Sequence, residues 1–106
     1  MSVLTHNCRN LAPDAIARYA WLGDAVLTLH SRRKILREDG MLDAPKSVRM
    51  TSNEFLGSIG EPSRVEAEIG LAFEKGGLIA ADAWIEEHLL PLFEKQEANR
   101  IRRSRS

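Results

Sequence analysis

The 106-residue chain contains a single cysteine, Cys8, which excludes an internal disulfide and a zinc site built from several cysteines. It has no apolar run of the roughly 18 to 20 residues that a membrane-spanning helix requires. The first ten residues lack the charged start and apolar stretch of a secretory signal peptide. With 43% hydrophobic and 28% charged residues, the composition is typical of one globular domain, and we expect a cytoplasmic protein.

The formal net charge is zero, but the charges are unevenly distributed along the chain. Residues 1–99 carry eleven basic and fifteen acidic side chains, whereas four arginines lie among the last seven residues. We therefore divide the chain into a helical domain over 1–98 and a basic tail over 99–106. A disordered end that aids solubility is the commoner explanation of such a tail, and phosphate contact with a nucleic acid is the alternative.

Helical periodicity dominates and no strand alternation is present, which predicts an all-α fold. Caps, prolines and glycines delimit four helices: one over about 13–38, one from Asp43 to Gly57 or Gly60, one from Pro62 to Gly76-Gly77, and one from Leu78 to about Gln96. Pro91 predicts a kink or a break within the fourth helix.

Two carboxylates, Asp24 on the first predicted helix and Glu66 on the third, are surrounded by apolar residues. An aspartate beside a glycine within a helix breaks two local preferences, which indicates a site rather than packing alone. If the helices cross near these acids, the two side chains meet in a dry groove and can hold a hard divalent cation such as magnesium. Such an ion activates water and stabilises the charge that develops on a phosphodiester under attack.

The same residues allow simpler interpretations. Asp24 can be a structural acid that pairs with an arginine such as Arg18 or Arg49. Glu66 can be an acid of the first helical turn that interacts with the helix dipole. Spacing alone does not show that the two helices meet.

The segment Trp21-Leu22-Gly23-Asp24-Ala25-Val26-Leu27 resembles the signature helix of ribonuclease III, which reads Glu-Arg-Leu-Glu-Phe-Leu-Gly-Asp followed by Ala-Val-Leu. The segment Val65-Glu66-Ala67-Glu68-Ile69-Gly70 resembles the second acidic motif of that family, Asp-x-x-Glu-Ala-Leu-Ile-Gly. The pairs Gly76-Gly77 and Ala80-Ala81 follow in the family's order and spacing. The resemblance covers roughly residues 13–95.

The resemblance implies a symmetric all-helical homodimer that cleaves double-stranded RNA with magnesium, for which manganese substitutes. The signature helices of the family pack across the twofold axis, and hydrolysis leaves a 5′ phosphate and a 3′ hydroxyl. On this basis Asp24 and Glu66 are expected to bind the metal and to act in catalysis. Asp39 corresponds to a further acidic position after the signature helix, if one residue is skipped.

The chain departs from the family pattern at three acids. Ala17 and Ala20 stand where the family has two glutamates, and Ser63 stands three residues before Glu66, where the family has an aspartate. The Mini-ribonuclease III branch also has small residues in its first motif and, like a chain of this length, no separate RNA-binding domain. The Ser63 hydroxyl can hold a metal-bound water but adds no charge, so it is at most an accessory group.

Several other residues have weaker functional interpretations. Glu68 is expected to form a surface pair with Arg64, and Trp21 and Trp84 are expected to pack in the core or in a dimer interface. The basic side chains that could contact RNA phosphate, or that could simply be solvated, are Arg32, Arg33, Lys34, Arg100, Arg102 and Arg103.

These observations predict a magnesium-dependent endoribonuclease for double-stranded or structured RNA. The alternative is a catalytically inactive ribonuclease III-fold homodimer that binds RNA or acts as a scaffold. A helical protein with no role on RNA is a third, less favoured possibility.

Overall fold

The computed structural model describes Cys8 and residues 10–105, which form five helices. These are α1 (Pro13–Asp39), α2 (Ala44–Thr51), α3 (Asn53–Gly57), α4 (Pro62–His88) and α5 (Leu90–Arg105). No strand occurs within the described residues, so the predicted all-α class is confirmed. Residues 1–7 and Arg9 of the predicted domain, and Ser106 at the end of the predicted tail, lie outside them.

Local signals set both ends of α1 as predicted. Pro13 lies in its first turn, where the missing N–H has no helical partner to lose. Gly40 follows the last turn with a φ of 74°, and its N–H donates to the carbonyl of Leu36 at 3.2 Å. This left-handed conformation is readily accessible to glycine and ends the helix after Asp39.

The second predicted helix is divided into two at Ser52. This residue is extended, with a ψ of 153°, and its hydroxyl accepts the N–H of Phe55 at 3.1 Å. Ser52 therefore ends α2 and caps α3. The prediction of one continuous helix from Asp43 to Gly57 or Gly60 is wrong, because the chain forms two helices there. Serine competes for backbone groups in this way wherever a cap is available.

Two interruptions shape the second half of the chain. Gly76 and Gly77 have non-helical backbone angles within α4, and Gly77 has a φ of 71°, so the predicted break is confirmed. The predicted fourth helix is interrupted at Leu89, two residues before Pro91. Proline is tolerated in the first turn of a helix but not in its interior. The chain therefore starts a new helix, α5, one residue before Pro91.

The predicted disordered tail is helical over residues 99–105, because α5 continues to Arg105. Arginine favours helices, and neither proline nor glycine follows Pro91 in the chain. The Ser104 hydroxyl donates to the carbonyl of Ile101 at 2.8 Å within the last turn. The arginines of the tail are therefore held on one helix, at fixed angular positions.

The core lies mainly between α1 and α4 and is closed by α3 and the start of α5. Its fully buried members are chiefly aliphatic and include Leu27, Met50, Leu56, Val65, Ile69, Ile85 and Leu89. Polar contacts fasten α1 to the second half of the chain: His30 Nδ1 lies 2.7 Å from Asp82 Oδ1, and Lys34 Nζ lies 2.8 Å from Glu94 Oε1. These contacts fix the position of α1, on which the candidate site depends.

Candidate carboxylate site at the crossing of two helices

The backbones of α1 and α4 touch where they cross, at Gly23 and Gly70. A Cβ atom built on Gly23 would lie 1.8 Å from the carbonyl oxygen of Glu66, and one built on Gly70 would lie 2.0 Å from the carbonyl oxygen of Tyr19. Real Cβ atoms do not approach other atoms so closely, so the crossing requires glycine on both helices. Each glycine therefore has a packing role in addition to its place in a sequence motif.

This crossing brings together the two predicted acids, Asp24 and Glu66. Asp24 follows Gly23 on α1, and Glu66 is the residue whose carbonyl Gly23 touches. The Glu66 carboxyl is half-buried and lies within hydrogen-bonding reach of Asp24, while Asp24 is exposed. The convergence expected for the pair is present in the structure.

The electrostatics of Glu66 reflect this arrangement. Partial burial, the hydrogen bond to Asp24 and the negative charge of Asp24 raise the pKa of Glu66 from its ordinary 4.5 to about 7. A buried acid beside another acid holds its proton because two adjacent negative charges repel in a poorly solvated groove. At neutral pH this carboxyl exchanges a proton readily, as a general acid or base must.

A third acid, Glu61, also acts on Glu66 electrostatically. It was not predicted as a site residue from the sequence. It caps α4, where its carboxylate accepts the N–H of Arg64 at 2.9 Å. Its negative charge adds to the effects that raise the pKa of Glu66. The signal in the sequence was a glutamate directly before the proline that opens the helix, which places its charge at the start of α4.

The donor set fits a hard divalent cation, because it consists of two adjacent carboxylates, one of them exposed to solvent. Magnesium is typically held by one or two carboxylates and retains several waters. Among Cys8 and residues 10–105, no group of three or more acidic, histidine or cysteine side chains is arranged to hold a metal. The pair of Asp24 and Glu66 lies within the usual range for magnesium, and water would have to complete its shell.

The simpler interpretations of the two acids do not match the geometry. Arg18 pairs with Asp14 at 3.6 Å, and Arg49 pairs with Glu97 at 2.8 Å, so both arginines considered as partners of Asp24 are engaged elsewhere. Glu66 lies in the second turn of α4, beyond the turn in which the helix dipole acts. A favourable dipole would also lower the pKa of Glu66, which is raised instead.

The two expected accessory residues, Ser63 and Asp39, lie at different distances from the carboxylate pair. Ser63 is exposed in the first turn of α4, three residues before Glu66 and so on the same side of the helix. Asp39 lies fifteen residues beyond Asp24 on α1, a rise of about 22 Å. It accepts a hydrogen bond from Lys46 Nζ at 2.9 Å, and within one protomer it does not join the carboxylate pair.

The expected surface position of Glu68 is wrong. Its side chain is 2% exposed, and its Oε2 accepts the backbone N–H of Cys8 at 2.9 Å. Burial and the adjacent Glu68 raise the pKa of the Cys8 thiol to about 11, so this thiol stays protonated at neutral pH. Glu68 ties the segment before α1 to α4, a long-range contact that helical spacing does not reveal.

The predicted RNA-contacting residues fall into two groups. Lys34 is 4% exposed and bonds to Glu38 and Glu94 at 2.6 and 2.8 Å, so the expectation that it reaches RNA is wrong. The other five side chains are exposed: Arg32 and Arg33 on α1, and Arg100, Arg102 and Arg103 on α5. Arg102 donates to Asn99 on its own helix.

The two tryptophans also differ. Trp84 is partly buried against the core, where packing was expected. Trp21 is 81% exposed, one turn before Asp24 on the outer face of α1. Ala17 and Ala25 are exposed on the same side, so an apolar strip lies beside the carboxylate pair. Trp21 was expected to pack either in the core or in a dimer interface. Its exposure shows that it does not pack in the core of one protomer.

No helix among the described residues is long and apolar enough to cross a membrane. Comparisons of the chain with protein-family models, with curated proteins and with solved structures find no match.

Proposed function

We propose that this chain is a ribonuclease III-like endoribonuclease that cleaves double-stranded or structured RNA by magnesium-dependent hydrolysis, with the cytoplasm as its compartment. The observation that carries the proposal is the meeting of Asp24 and Glu66 at the crossing of Gly23 and Gly70. The resemblance to the family rests on two separate sequence segments, and both acids belong to those segments. A random pair of acids on two long helices has no reason to adopt this arrangement.

The two carboxylates have different tasks. Asp24 is exposed and supplies a negative oxygen ligand on the solvent side, whereas Glu66 is half-buried. In the metal-free protein the pKa of Glu66 is about 7, and a bound cation would displace this proton, so that Glu66 becomes the second ligand. Magnesium held by the pair would supply positive charge to the phosphodiester and lower the pKa of water. The groove at the helix crossing keeps Glu66 partly out of water, which strengthens these interactions.

The small number of acids favours a second candidate, a catalytically inactive module that binds RNA or acts as a scaffold. Ala17, Ala20 and Ser63 remove three acids from the family's pattern, and no cluster of three metal-ligating side chains exists in the part of the chain that the structure describes. Fewer charged ligands weaken ion binding. The two candidates differ in cleavage and not in RNA binding.

The decisive experiment is cleavage of duplex RNA by the purified protein in magnesium and in EDTA. We expect cleavage only with magnesium, and a loss of about 100-fold or more in Asp24→Asn and in Glu66→Gln. Glu74→Gln is the matched control, because it removes one exposed acid of α4 two turns beyond Glu66. The control should cleave at the wild-type rate.

Equal residual cleavage in the wild type and in both site variants would identify a contaminating nuclease and overturn the proposal. Duplex RNA binding without cleavage in any protein would establish the inactive module instead. Absence of binding even at low salt would remove RNA from the function altogether.

We further propose that the protein is a homodimer formed through the outer face of α1. A domain of this size buries a limited core, and Trp21, which is 81% exposed, belongs to a strip of exposed apolar residues rather than standing alone. The apolar strip of Ala17, Trp21 and Ala25 can pack against its own copy across a twofold axis. Each carboxylate pair would then lie at the edge of the interface.

Substituting Trp21 by glutamate should produce a monomer, because it places a charge within the apolar contact. Light scattering at micromolar concentration measures the mass directly. Ile79→Glu is the control, since Ile79 is 86% exposed on α4 and so tests the effect of a charge at another apolar surface position. A wild-type protein that is monomeric at this concentration would disprove the dimer.

A further inference from the structure

The last part of α5, residues 99–105, is a helical segment with four arginines and no acidic residue. Phe93 is the one buried residue among those of α5, and every residue from Arg100 to Arg105 is exposed. The segment adds little to the core, so packing does not account for its charge. We call residues 99–105 the basic end of α5.

The arginines of the basic end are distributed around the helix and do not share one face. Successive residues of an α-helix are rotated by about 100°, so Arg102 lies about 200° from Arg100, on nearly the opposite side. Arg105 follows Arg102 by three residues and lies on the same side as Arg102. Positive charge therefore lies on two opposite sides of one helix, whereas docking on a flat acidic surface requires charge on one side only.

The acids of the domain do not neutralise these charges. Glu97 precedes Arg100 by one turn, but both of its carboxylate oxygens accept hydrogen bonds from Arg49, at 2.8 and 2.9 Å. Arg102 donates to the uncharged side chain of Asn99 on its own helix. Among the described residues, no carboxylate lies within 4 Å of the guanidinium groups of Arg100, Arg102 or Arg105 to form an ion pair. These three arginines can therefore bind an external anion.

A nucleic-acid duplex presents anions to both sides of such a helix, because a phosphate strand borders each side of its grooves. In duplex RNA the minor groove is wide and shallow and is contacted through phosphates and 2′-hydroxyls. Residues 1–99 have four more acidic than basic side chains, so the basic end supplies an attraction for a polyanion that the rest of the chain as a whole does not. A membrane surface is a poorer partner. An interfacial helix needs an apolar face, and Ala98 and Ile101 are the only apolar residues between positions 98 and 105.

We propose that the basic end of α5 lies along the minor groove of duplex RNA, where Arg100 contacts the phosphates of one strand and Arg102 and Arg105 contact those of the other. The identity of the duplex as RNA rests on the proposed function. The contact uses none of the residues of the carboxylate pair, so it anchors the substrate without taking part in hydrolysis. It contributes to affinity and leaves the chemical step unchanged.

The test is the salt dependence of binding to duplex RNA, measured in EDTA so that no cleavage occurs. Each lost phosphate contact reduces the slope of log affinity against log salt concentration by about 0.9 in magnitude. We expect a reduction of about 0.9 for Arg100→Gln and of about 1.8 for Arg102→Gln combined with Arg105→Gln. The matched controls are Lys95→Gln and its combination with Lys75→Gln, which remove one and two exposed cations outside the basic end. Both controls should keep the wild-type slope.

The duplex should also bind more tightly than either of its single strands, because one strand offers phosphates to one side of the helix only. A reduced slope in only one of the two arginine variants, equal slopes in the arginine and lysine variants, or equal binding of a single strand would overturn the proposal. So would tighter binding to vesicles of phosphatidylserine and phosphatidylcholine than to the duplex, which would assign the basic end to a membrane surface. Glu66→Gln should keep the wild-type slope, so a failure of cleavage and a failure of this contact are separate results.

Discussion

Replacing Gly70 by alanine is expected to destabilise the fold by about 3 kcal/mol or more. The added methyl group would lie 2.0 Å from the carbonyl oxygen of Tyr19 and 3.1 Å from the amide nitrogen of Gly23. These are backbone atoms of a long helix, so no side-chain rotation can relieve the clash. The helices α1 and α4 must separate, which opens the largest interface in the molecule.

Urea unfolding followed by circular dichroism measures the effect, and Gly57→Ala provides the control. A Cβ on Gly57 meets no atom within 4 Å, and this residue lies in α3. There alanine should leave stability unchanged or raise it slightly, by up to about 1 kcal/mol. A Gly70→Ala protein that unfolds at the same urea concentration as Gly57→Ala would show that the two helices do not touch at this point.

The corresponding substitution at Gly23 connects packing to the site. Gly23→Ala directs its methyl group at the carbonyl of Glu66 itself, so any folded fraction must move Glu66 relative to Asp24. Magnesium-dependent cleavage by such a fraction should fall together with stability. The two glycines of the motifs are therefore requirements of the site as well as of the fold.

The sequence predicts the parts of this fold that local chemistry determines. Pro13 and Gly40 set the limits of α1, and Gly77 breaks α4, because each residue restricts or releases its own backbone angles. The break at Ser52 was not predicted, because a serine within a helical pattern does not by itself show whether the chain leaves the helix there. The breaks in the chain are thus predictable where a proline or a glycine marks them.

Contacts between distant residues set the limit of sequence reasoning. Lys34 and Glu68 look like surface charges in the sequence, yet both are buried by segments that lie 60 residues from each of them. Asp24 and Glu66 were paired through the resemblance of their motifs, since helical spacing does not reveal where two helices cross. Glu61 acts on Glu66 from a helix cap, a position that the motif does not include.

Substituting Glu66 by glutamine should stabilise the metal-free protein at pH 8 while it abolishes cleavage. The pKa of Glu66 is about 7 in the folded state and near 4.5 in the unfolded chain. Between these values the folded protein holds a proton that the unfolded chain has lost. The stability that this proton contributes is complete below pH 4.5 and is lost as the pH rises through 7. Glutamine carries no such proton, so its variant avoids this loss.

The comparison between variants isolates the effect from all other titrating groups. Urea unfolding in EDTA at pH 4.5, 6 and 8 should show the stability difference between Glu66→Gln and wild type growing with pH, by about 1 to 2 kcal/mol once solvent screening of a half-exposed group is allowed for. Asp24→Asn should reduce the same pH dependence, because it removes the charge that repels Glu66. Parallel curves for all three proteins would show that the carboxylates do not interact.

Magnesium should reverse the order of stability at pH 8. Two adjacent carboxylates repel each other without a cation and attract one strongly, so magnesium should stabilise the wild type and leave Glu66→Gln nearly unchanged. A residue that lowers stability until its ligand is bound is characteristic of a functional site rather than of a structural ion pair. If magnesium raised the stability of both proteins equally, the cation would bind elsewhere, and the pair of Asp24 and Glu66 would lose its assigned role.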